Sequence, residues 1–150
     1  MTEFDQIDSM ILSALESDGR ISNVDLARKV GLSPSACLRR VQELERKEII
    51  AGYRAVLDRS KMGLGATIFV MVGLSGQLKN DALAFELAMD RAPEVLECHN
   101  ITGAVEYLLR VEVADLKDYK KFHGDTLGML PQVSSITSYI SLGSPKDLRA

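Results

Sequence analysis

The sequence is poor in cysteine and histidine, the side chains on which disulfide frameworks and most zinc sites depend. It has two of each in 150 residues. Cys37 and Cys98 lie far apart, and neither is accompanied by a second cysteine or a histidine at metal-ligand spacing. We therefore expect no metal site and no disulfide, and we predict that both thiols are reduced and packed.

Long apolar runs and a basic N-terminus are also absent. The charge-free stretch at 62–78 is interrupted by glycine, serine and glutamine, too often for the roughly 20 apolar residues of a membrane span. Glu3, Asp5 and Asp8 lie where a signal peptide carries basic residues. We therefore expect a chain that is neither exported nor embedded in a membrane and that acts in the cytoplasm.

Basic residues are also fewer than acidic ones. The sequence has 18 lysines and arginines against 21 acidic residues, a formal net charge of -3. Nonspecific nucleic-acid binders usually carry a strongly basic surface, so any nucleic-acid function must come from a local patch. The apolar and charged fractions are those of a soluble globular protein, and the length suits one ordinary domain or two small ones.

Three helices are predicted in residues 1–57 from apolar residues recurring at helical spacing. The predicted spans are 5–19, 22–31 and 33–47. Ser22 and Ser33 are suited to N-cap positions, and Pro34 follows at the first helical position, where its missing N–H is not needed. The short second and third helices have helix-turn-helix proportions.

The pattern changes after the helices. Residues 49–57 mix β-branched and aromatic side chains around Gly52, and we predict a short strand pair or wing there. Residues 58–65 are polar and glycine-bearing, as in a linker. Residues 66–150 then predict the ferredoxin-like order β-α-β-β-α-β. The predicted strands are 67–74, 95–102, 107–113 and 133–142, and the predicted helices are 81–91, capped by Asn80, and 115–129. The fold class is α+β, a winged helix-turn-helix domain followed by a ferredoxin-like domain.

The third helix has a polar, positive outward stripe. Helical spacing groups Ser35, Arg39, Gln42 and Arg46 on that stripe and Cys37, Leu38, Val41 and Leu44 on the inward face. An ordinary solvated face would look the same, with Glu43 pairing with Arg39, Arg40 or Lys47. Placed second in a helix-turn-helix pair, however, the stripe faces the major groove, where arginine reads guanine edges.

The stretch GRISNVDLARKVGLSPSACLRRVQELERKEIIAGYRAVLD resembles the N-terminal domain of the Lrp/AsnC family, the feast/famine regulators. PEVLECHNITG, EYLLRVEV and LPQVSSITSYI resemble that family's C-terminal ligand-binding module. Together these matches cover nearly the whole chain. The resemblance places Ser33, Ser35, Arg39 and Arg40 where the family contacts DNA. With the outward stripe, the candidate DNA-binding residues are Ser33, Ser35, Arg39, Arg40, Gln42 and Arg46.

The resemblance also implies partners that composition does not show. Family members dimerise through the C-terminal sheet, often assemble into tetramers or octamers, and bind amino acids or related small molecules between dimers. The chain is thereby expected to bind double-stranded DNA as a homo-oligomer, with an amino-acid effector and no other cofactor. A dimer presents two recognition helices, so local charge suffices for DNA binding.

The candidate effector site is the turn TGAVEY. It comprises Thr102, Gly103, Ala104, Val105, Glu106 and Tyr107, with hydroxyls from Ser135, Thr137 and Ser138. Gly103 permits a tight turn whose N–H groups could receive a carboxylate, and Glu106 could pair with an ammonium group. Ala104 and Val105 replace acidic and aromatic residues usual in the family, which predicts a more apolar pocket or an unusual ligand. A plain hairpin with an exposed Glu106 would have the same sequence.

Two other functions remain open at this stage. One is a constitutive DNA-organising protein of the same fold without an effector, which the Ala104 and Val105 departures favour. The other is a small-molecule-binding metabolic protein that does not bind DNA. We predict no enzyme, because His99 and His123 lack a nucleophile, a phosphate loop or a carboxylate pair at recognisable spacing. Both histidines are expected to be structural or interface residues.

Overall fold

The computed structural model describes residues 5–76 and 79–147. They form two compact units, which meet in the sequence between Val56 and Leu57. No helix in these described ranges is long and apolar enough to cross a membrane.

The N-terminal unit consists of three helices, each started by a side-chain cap. These are α1 (Gln6–Ser17), α2 (Asn23–Val30) and α3 (Pro34–Arg46). The capping oxygens of Asp5, Ser22 and Ser33 accept hydrogen bonds from the backbone N–H groups of Asp8, Asp25 and Ala36, at 2.8, 3.1 and 3.3 Å. Each cap satisfies a helix N–H that has no partner within the helix. The three predicted helices are thus confirmed, with ends that differ by a residue or two.

The helical core is small and apolar. Its fully buried members are Ile11, Ala14, Leu26, Ala27, Val30, Cys37 and Leu44. Leu38 is 46% exposed, so its predicted place on the inward face is wrong. A helix that packs against two neighbouring helices buries only a narrow stripe of its surface, and in α3 this stripe contains Cys37 and Leu44.

The strand pair predicted for residues 49–57 does not form in the described structure. Glu48 takes a left-handed backbone conformation at the end of α3, with φ of 55°. The N–H groups of Ile49 and Ile50 then bond back to the carbonyl of Leu44, at 3.0 and 3.2 Å. Both isoleucines pack against the helical core. Their β-branched side chains therefore complete this core and do not pair as strands.

The C-terminal unit has a four-stranded antiparallel sheet in the order β2-β3-β1-β4. Its elements are β1 (Ala66–Leu74), α4 (Lys79–Arg91), β2 (Val95–Asn100), β3 (Tyr107–Val113), α5 (Leu116–Lys121) and β4 (Val133–Ile140). A π-helical segment, Phe122–Leu127, continues α5. A short 3-10 helix, Ser60–Met62, lies in the predicted linker. The ferredoxin-like order is confirmed. Because α4 already includes Lys79, Asn80 lies inside the helix and the cap predicted there is wrong.

The two faces of the sheet differ sharply. Ile68, Val70, Val72, Leu109 and Val111 are completely buried in one core together with Phe85, Met89 and Leu127 from the helical segments. The opposite face, which we call the open face, carries Phe69, Met71, Leu108, Thr137 and Tyr139, since these residues alternate with the buried ones and pair with one another across the strands. Within the described part of the C-terminal unit, its helical segments thus pack on the face that carries Ile68, Val70 and Leu109.

The two cysteines differ in burial, although both thiols were predicted to be packed. Cys37 is buried, but Cys98 is exposed. It pairs with buried Leu109, on the face opposite His99, yet β2 is an edge strand with no neighbour on its outer side. The prediction of a packed thiol is therefore wrong for Cys98.

Candidate DNA-binding surface and effector site

The pair α2 and α3 is held together at its tight corner. The side-chain amide of Asn23, the first residue of α2, donates a hydrogen bond to the carbonyl of Pro34, the first residue of α3, at 2.8 Å. Gly31 ends α2 with φ of 74°, a left-handed conformation that suits glycine. These two features set the corner that orients α3.

The outward stripe of α3 is exposed as predicted. Ser35, Arg39, Gln42 and Arg46 are all exposed. Arg46 donates two hydrogen bonds to Glu43, at 2.8 and 2.7 Å, and Lys47 lies 3.3 Å from the same carboxylate. Hydrogen bonding to Arg46, the larger effect, and to Lys47 lowers the pKa of Glu43 to about 2. Glu43 is thus engaged with residues toward the helix end, and among the described residues Arg39 has no hydrogen bond or ion pair.

Arg40 has a different environment from Arg39. It is half-buried, and its guanidinium lies 2.5 Å from Asp5 and 2.8 Å from Asp8, at the start of α1. The side chain of Arg40 is held against α1 in this structure, and its predicted DNA contact stays a prediction. Arg40 links the recognition helix to the first helix.

Replacing Arg40 with glutamine is expected to destabilise the helical unit and to leave base preference unchanged. The variant loses both ion pairs to α1 and keeps a long polar side chain. We expect the thermal midpoint, followed by circular dichroism, to fall by a few degrees, and the preferred DNA sequence to stay the same. An altered base preference with unchanged melting would contradict this role.

The same contact makes stability depend on pH. The pKa of Asp5 is held below its ordinary value of 3.8, first by the hydrogen bond from the Asp8 N–H and then by Arg40. A carboxyl with a depressed folded pKa adds stability that is complete above its unfolded pKa and is lost as the pH falls through the folded value. The melting difference between wild type and Arg40→Gln should therefore shrink below pH 3.8. A difference that stays constant in acid would count against the ion pair.

The predicted effector turn connects β2 to β3. Gly103 has φ of 137°, in the region that favours glycine. The turn is closed by the Ile101 N–H, which donates to the Glu106 carbonyl at 2.8 Å. Thr102, Gly103 and Ala104 are exposed, and Val105 and Glu106 are half-buried. The turn therefore presents exposed backbone beside a partly sheltered carboxylate.

Glu106 is tied to the neighbouring strand at one oxygen. Its Oε2 atom accepts a hydrogen bond from the Leu74 N–H at 2.7 Å, where the pairing of β1 with β4 shifts register. Its other oxygen accepts no hydrogen bond in the described part of the chain. Glu106 is therefore held in position and keeps an acceptor for a ligand.

Gly73 brings two serine hydroxyls to this carboxylate. A Cβ atom at Gly73 would lie 2.4 Å from Ser135 Oγ, 3.4 Å from Ser134 Oγ and 3.7 Å from Glu106 Oε2. The missing side chain thus leaves room for these polar groups. Sequence reasoning missed Gly73 and Ser134, although a glycine inside a strand is a sign of close approach.

Two predicted effector residues lie elsewhere. Tyr107 is 1% exposed and donates a hydrogen bond to Glu86 Oε1 at 2.6 Å. Ser138 is hydrogen-bonded to the Tyr119 hydroxyl at 2.5 Å. Both face the helices, whereas Ser135 and Thr137 alternate onto the other face. Neither side chain faces the turn in this structure, and their part in the effector site stays a prediction.

The two histidines each contact a neighbouring side chain. His99 lies 3.0 Å from Glu97 on the open face, and the His123 ring packs edge-on against Tyr119. The described ranges contain no group of three or more histidine, cysteine, aspartate or glutamate side chains that could hold a metal ion.

Comparison with known proteins assigns both halves of the chain. Residues 4–51 match a winged helix-turn-helix DNA-binding domain, and residues 67–150 match the Lrp/AsnC ligand-binding domain. The leucine-responsive regulatory protein of Escherichia coli is 39% identical over 144 residues, which cover 96% of this chain and 88% of that protein.

Solved structures agree with this assignment. A transcriptional regulator from Neisseria meningitidis, solved as a complex with L-methionine, superposes with a TM-score of 0.93, is 34% identical, and covers 97% of this chain and 94% of its own. An AsnC family regulator from Agrobacterium tumefaciens superposes with a TM-score of 0.91 at 31% identity, covering 96% and 94%. The same two domains occur in the same order along nearly the whole sequence, and the chain belongs to the Lrp/AsnC family of transcriptional regulators.

Proposed function

We propose that this chain binds specific double-stranded DNA sequences in the cytoplasm as a homo-oligomer and changes that binding when an apolar amino acid occupies the Glu106 site. The observation that carries the DNA-binding part is that Arg39 is exposed on α3, the second helix of the helix-turn-helix pair, and has no hydrogen bond or ion pair among the described residues. No catalytic step is involved.

The outward stripe of α3 has the side chains that DNA reading requires. Arginine can donate two hydrogen bonds to a guanine edge, and glutamine can pair in the same way with adenine. Arg39 and Gln42 fill these roles because neither is engaged within the described ranges. Ser33 and Ser35 lie at the start of α3, where hydroxyls and helix N–H groups suit phosphate contacts. Arg46 would first have to leave Glu43, so we assign it a lesser part.

The open face supports pairing of two chains. Phe69, Met71 and Leu108 are only half-buried there, and Tyr139 is 54% exposed. Contiguous apolar surface of this kind is typical of interaction sites. A second copy packed on the open face would bury it and would bring two recognition helices to one DNA site. Further assembly into tetramers or octamers follows the family resemblance.

The Glu106 site suits an amino acid with an apolar side chain. The free carboxylate oxygen of Glu106 can accept from an ammonium group, and the exposed N–H groups of the Gly103 turn can donate to a carboxylate. Ala104 and Val105 add apolar surface. The relatives named for leucine or solved with L-methionine support this ligand class. The ligand acts on DNA binding only if it has different affinities for two arrangements of the oligomer.

The test is a titration of the full chain against a DNA site selected from a random pool, at several salt concentrations, with L-leucine, L-methionine or neither. We expect tight, salt-dependent and sequence-dependent binding that shifts with one of them. Glu106→Gln preserves the acceptor for the Leu74 N–H and removes the negative charge. It should weaken the ligand response by about tenfold or more, the range of a charge-assisted hydrogen bond.

Ser138→Ala is the matched control, since Ser138 carries a hydroxyl on the same strand as Ser135 but on the helix-covered face. Its ligand response should equal that of wild type. If neither amino acid changes DNA binding, the result favours the constitutive DNA-organising alternative, which Ala104 and Val105 also favour, or a ligand other than these two. If no DNA sequence is preferred over scrambled DNA, the DNA-binding proposal is wrong.

A further inference from the structure

Leu38 is an exposed apolar residue on α3, the second helix of the helix-turn-helix pair. Other apolar side chains of this helix belong to the helical core, since Cys37 and Leu44 are buried in it and Val41 packs against it. Leu38 is in neither group among the described residues. Packing of the helical unit therefore does not account for a leucine at this position.

Leu38 borders the outward stripe of α3. It lies three residues after Ser35 and four residues before Gln42, and side chains at these spacings are neighbours on a helix surface. Arg39 follows it directly in the sequence, and all four side chains are exposed. A docking of α3 that brings Ser35, Arg39 and Gln42 to base edges therefore brings Leu38 into the same groove.

A leucine in the major groove discriminates between base edges by what it cannot do. Most of the groups that bases present there are hydrogen-bond donors or acceptors, and a leucine side chain satisfies neither. A polar group that loses water without gaining a partner costs free energy. The methyl group of thymine is the apolar group of the major groove. Among the bases, Leu38 therefore favours thymine.

We propose that Leu38 reads the methyl group of a thymine in the major groove and so helps to determine which DNA sequence this chain prefers. Adjacent α-carbons are about 3.8 Å apart and base pairs about 3.4 Å, so this thymine lies within about two base pairs of the base that Arg39 reads. The inference rests on the proposed DNA binding and adds one selected base to it. Since 5-methylcytosine carries the same methyl group at the same place, methylation of a cytosine at this position should strengthen binding.

Fluorescence anisotropy of the full chain on its selected DNA site tests this contact. Each thymine is replaced in turn by deoxyuridine, which lacks only the methyl group. One such replacement should weaken wild-type binding by about fourfold, as expected for burial of one methyl-sized group. With cytosine at that position, wild type should bind the 5-methylcytosine form more tightly by about the same factor. Leu38→Ala should bind the methylated and unmethylated member of each pair equally.

Two further variants separate the contact from general effects on the helical unit. Leu38→Met keeps a long apolar side chain and should retain most of the response to the methyl group. Met10→Ala is the matched control, because it removes an exposed apolar side chain from α1, outside the helix-turn-helix pair; its response should equal that of wild type. Both Leu38 variants should melt as wild type does, since Leu38 is not packed in the helical core.

The outcomes separate this inference from the proposed function. If the chain prefers its selected site but no deoxyuridine replacement weakens binding, Leu38 reads no methyl group and the inference is wrong. If the response to the methyl group persists in Leu38→Ala, another residue makes the contact and the inference is equally wrong. In both cases sequence-specific DNA binding remains, so the proposed function stands. Binding without any sequence preference would overturn both.

Discussion

Replacing Arg110 with methionine is expected to lower the free energy of unfolding of the C-terminal unit by about 3–5 kcal/mol. Arg110 lies among three carboxylates, at 3.0 Å from Glu112, 2.5 Å from Asp147 and 3.7 Å from Glu97. Its side chain is only 11% exposed and that of Glu112 only 3%. Removing the guanidinium leaves the buried Glu112 with Arg59 alone, at 3.5 Å. Urea unfolding of the intact chain measures the loss.

The double variant Arg110→Met, Glu112→Met is the control for this mechanism. It removes the buried carboxylate together with its partner, and such apolar replacements are often neutral or stabilising. We therefore expect the double variant to recover most of the stability that the single variant loses. If the free energy of unfolding of Arg110→Met is within about 1 kcal/mol of the wild-type value, the ion pairs of Arg110 do not stabilise the unit as proposed. If the double variant is as unstable as the single one, lost packing and not the stranded charge is the cause.

Replacing Arg39 with alanine is expected to weaken binding to the preferred DNA site by about 1–3 kcal/mol, roughly 5–150-fold, and to relax preference at one base pair. Arg39 is exposed and unpaired within the described ranges, so its loss should change stability by less than about 0.5 kcal/mol. Fluorescence anisotropy on the selected site and on single-base variants of it measures both effects.

Arg46→Ala is the matched control, because Arg46 lies on the same outward stripe but is engaged with Glu43 through two hydrogen bonds. We expect a smaller loss of affinity, similar for all DNA sequences, as for a residue near phosphates. Equal losses of affinity and preference in the two variants would contradict the assignment of base reading to Arg39. Wild-type affinity and preference in Arg39→Ala would contradict it outright.

Local sequence determined most of the secondary structure. Ser22 and Ser33 act as N-caps in the structure because capping needs only a hydroxyl and the N–H groups of the next turn. The alternation from Tyr107 to Val113 likewise indicated that Tyr107, Leu109, Val111 and Val113 are buried, since a strand places successive side chains on opposite faces. Such patterns act over a few residues and can be read directly from the chain.

The helix periodicity placed Arg39 on the outward stripe of α3, but it could not show what Arg40 contacts. These adjacent arginines differ because Asp5 and Asp8, distant in sequence, are brought to Arg40 when α1 packs beside α3. In the same way, the hydroxyl pattern of β4 suggested Ser138 for the effector site, whereas Tyr119 holds it on the helix-covered face.

The amino-acid sequence was enough to predict the three helices, the four strands of the sheet, most of the buried positions and, through resemblance, the family. Only the folded structure shows which charges are paired: Arg40 is engaged with α1. Among the described residues, Arg39 has no partner and one oxygen of the buried Glu112 carboxylate has no hydrogen-bond donor. The difference comes from the distance along the sequence over which each interaction acts. Caps and periodicity depend on neighbours within a turn or two, whereas ion pairs and burial depend on segments that meet only when the chain folds.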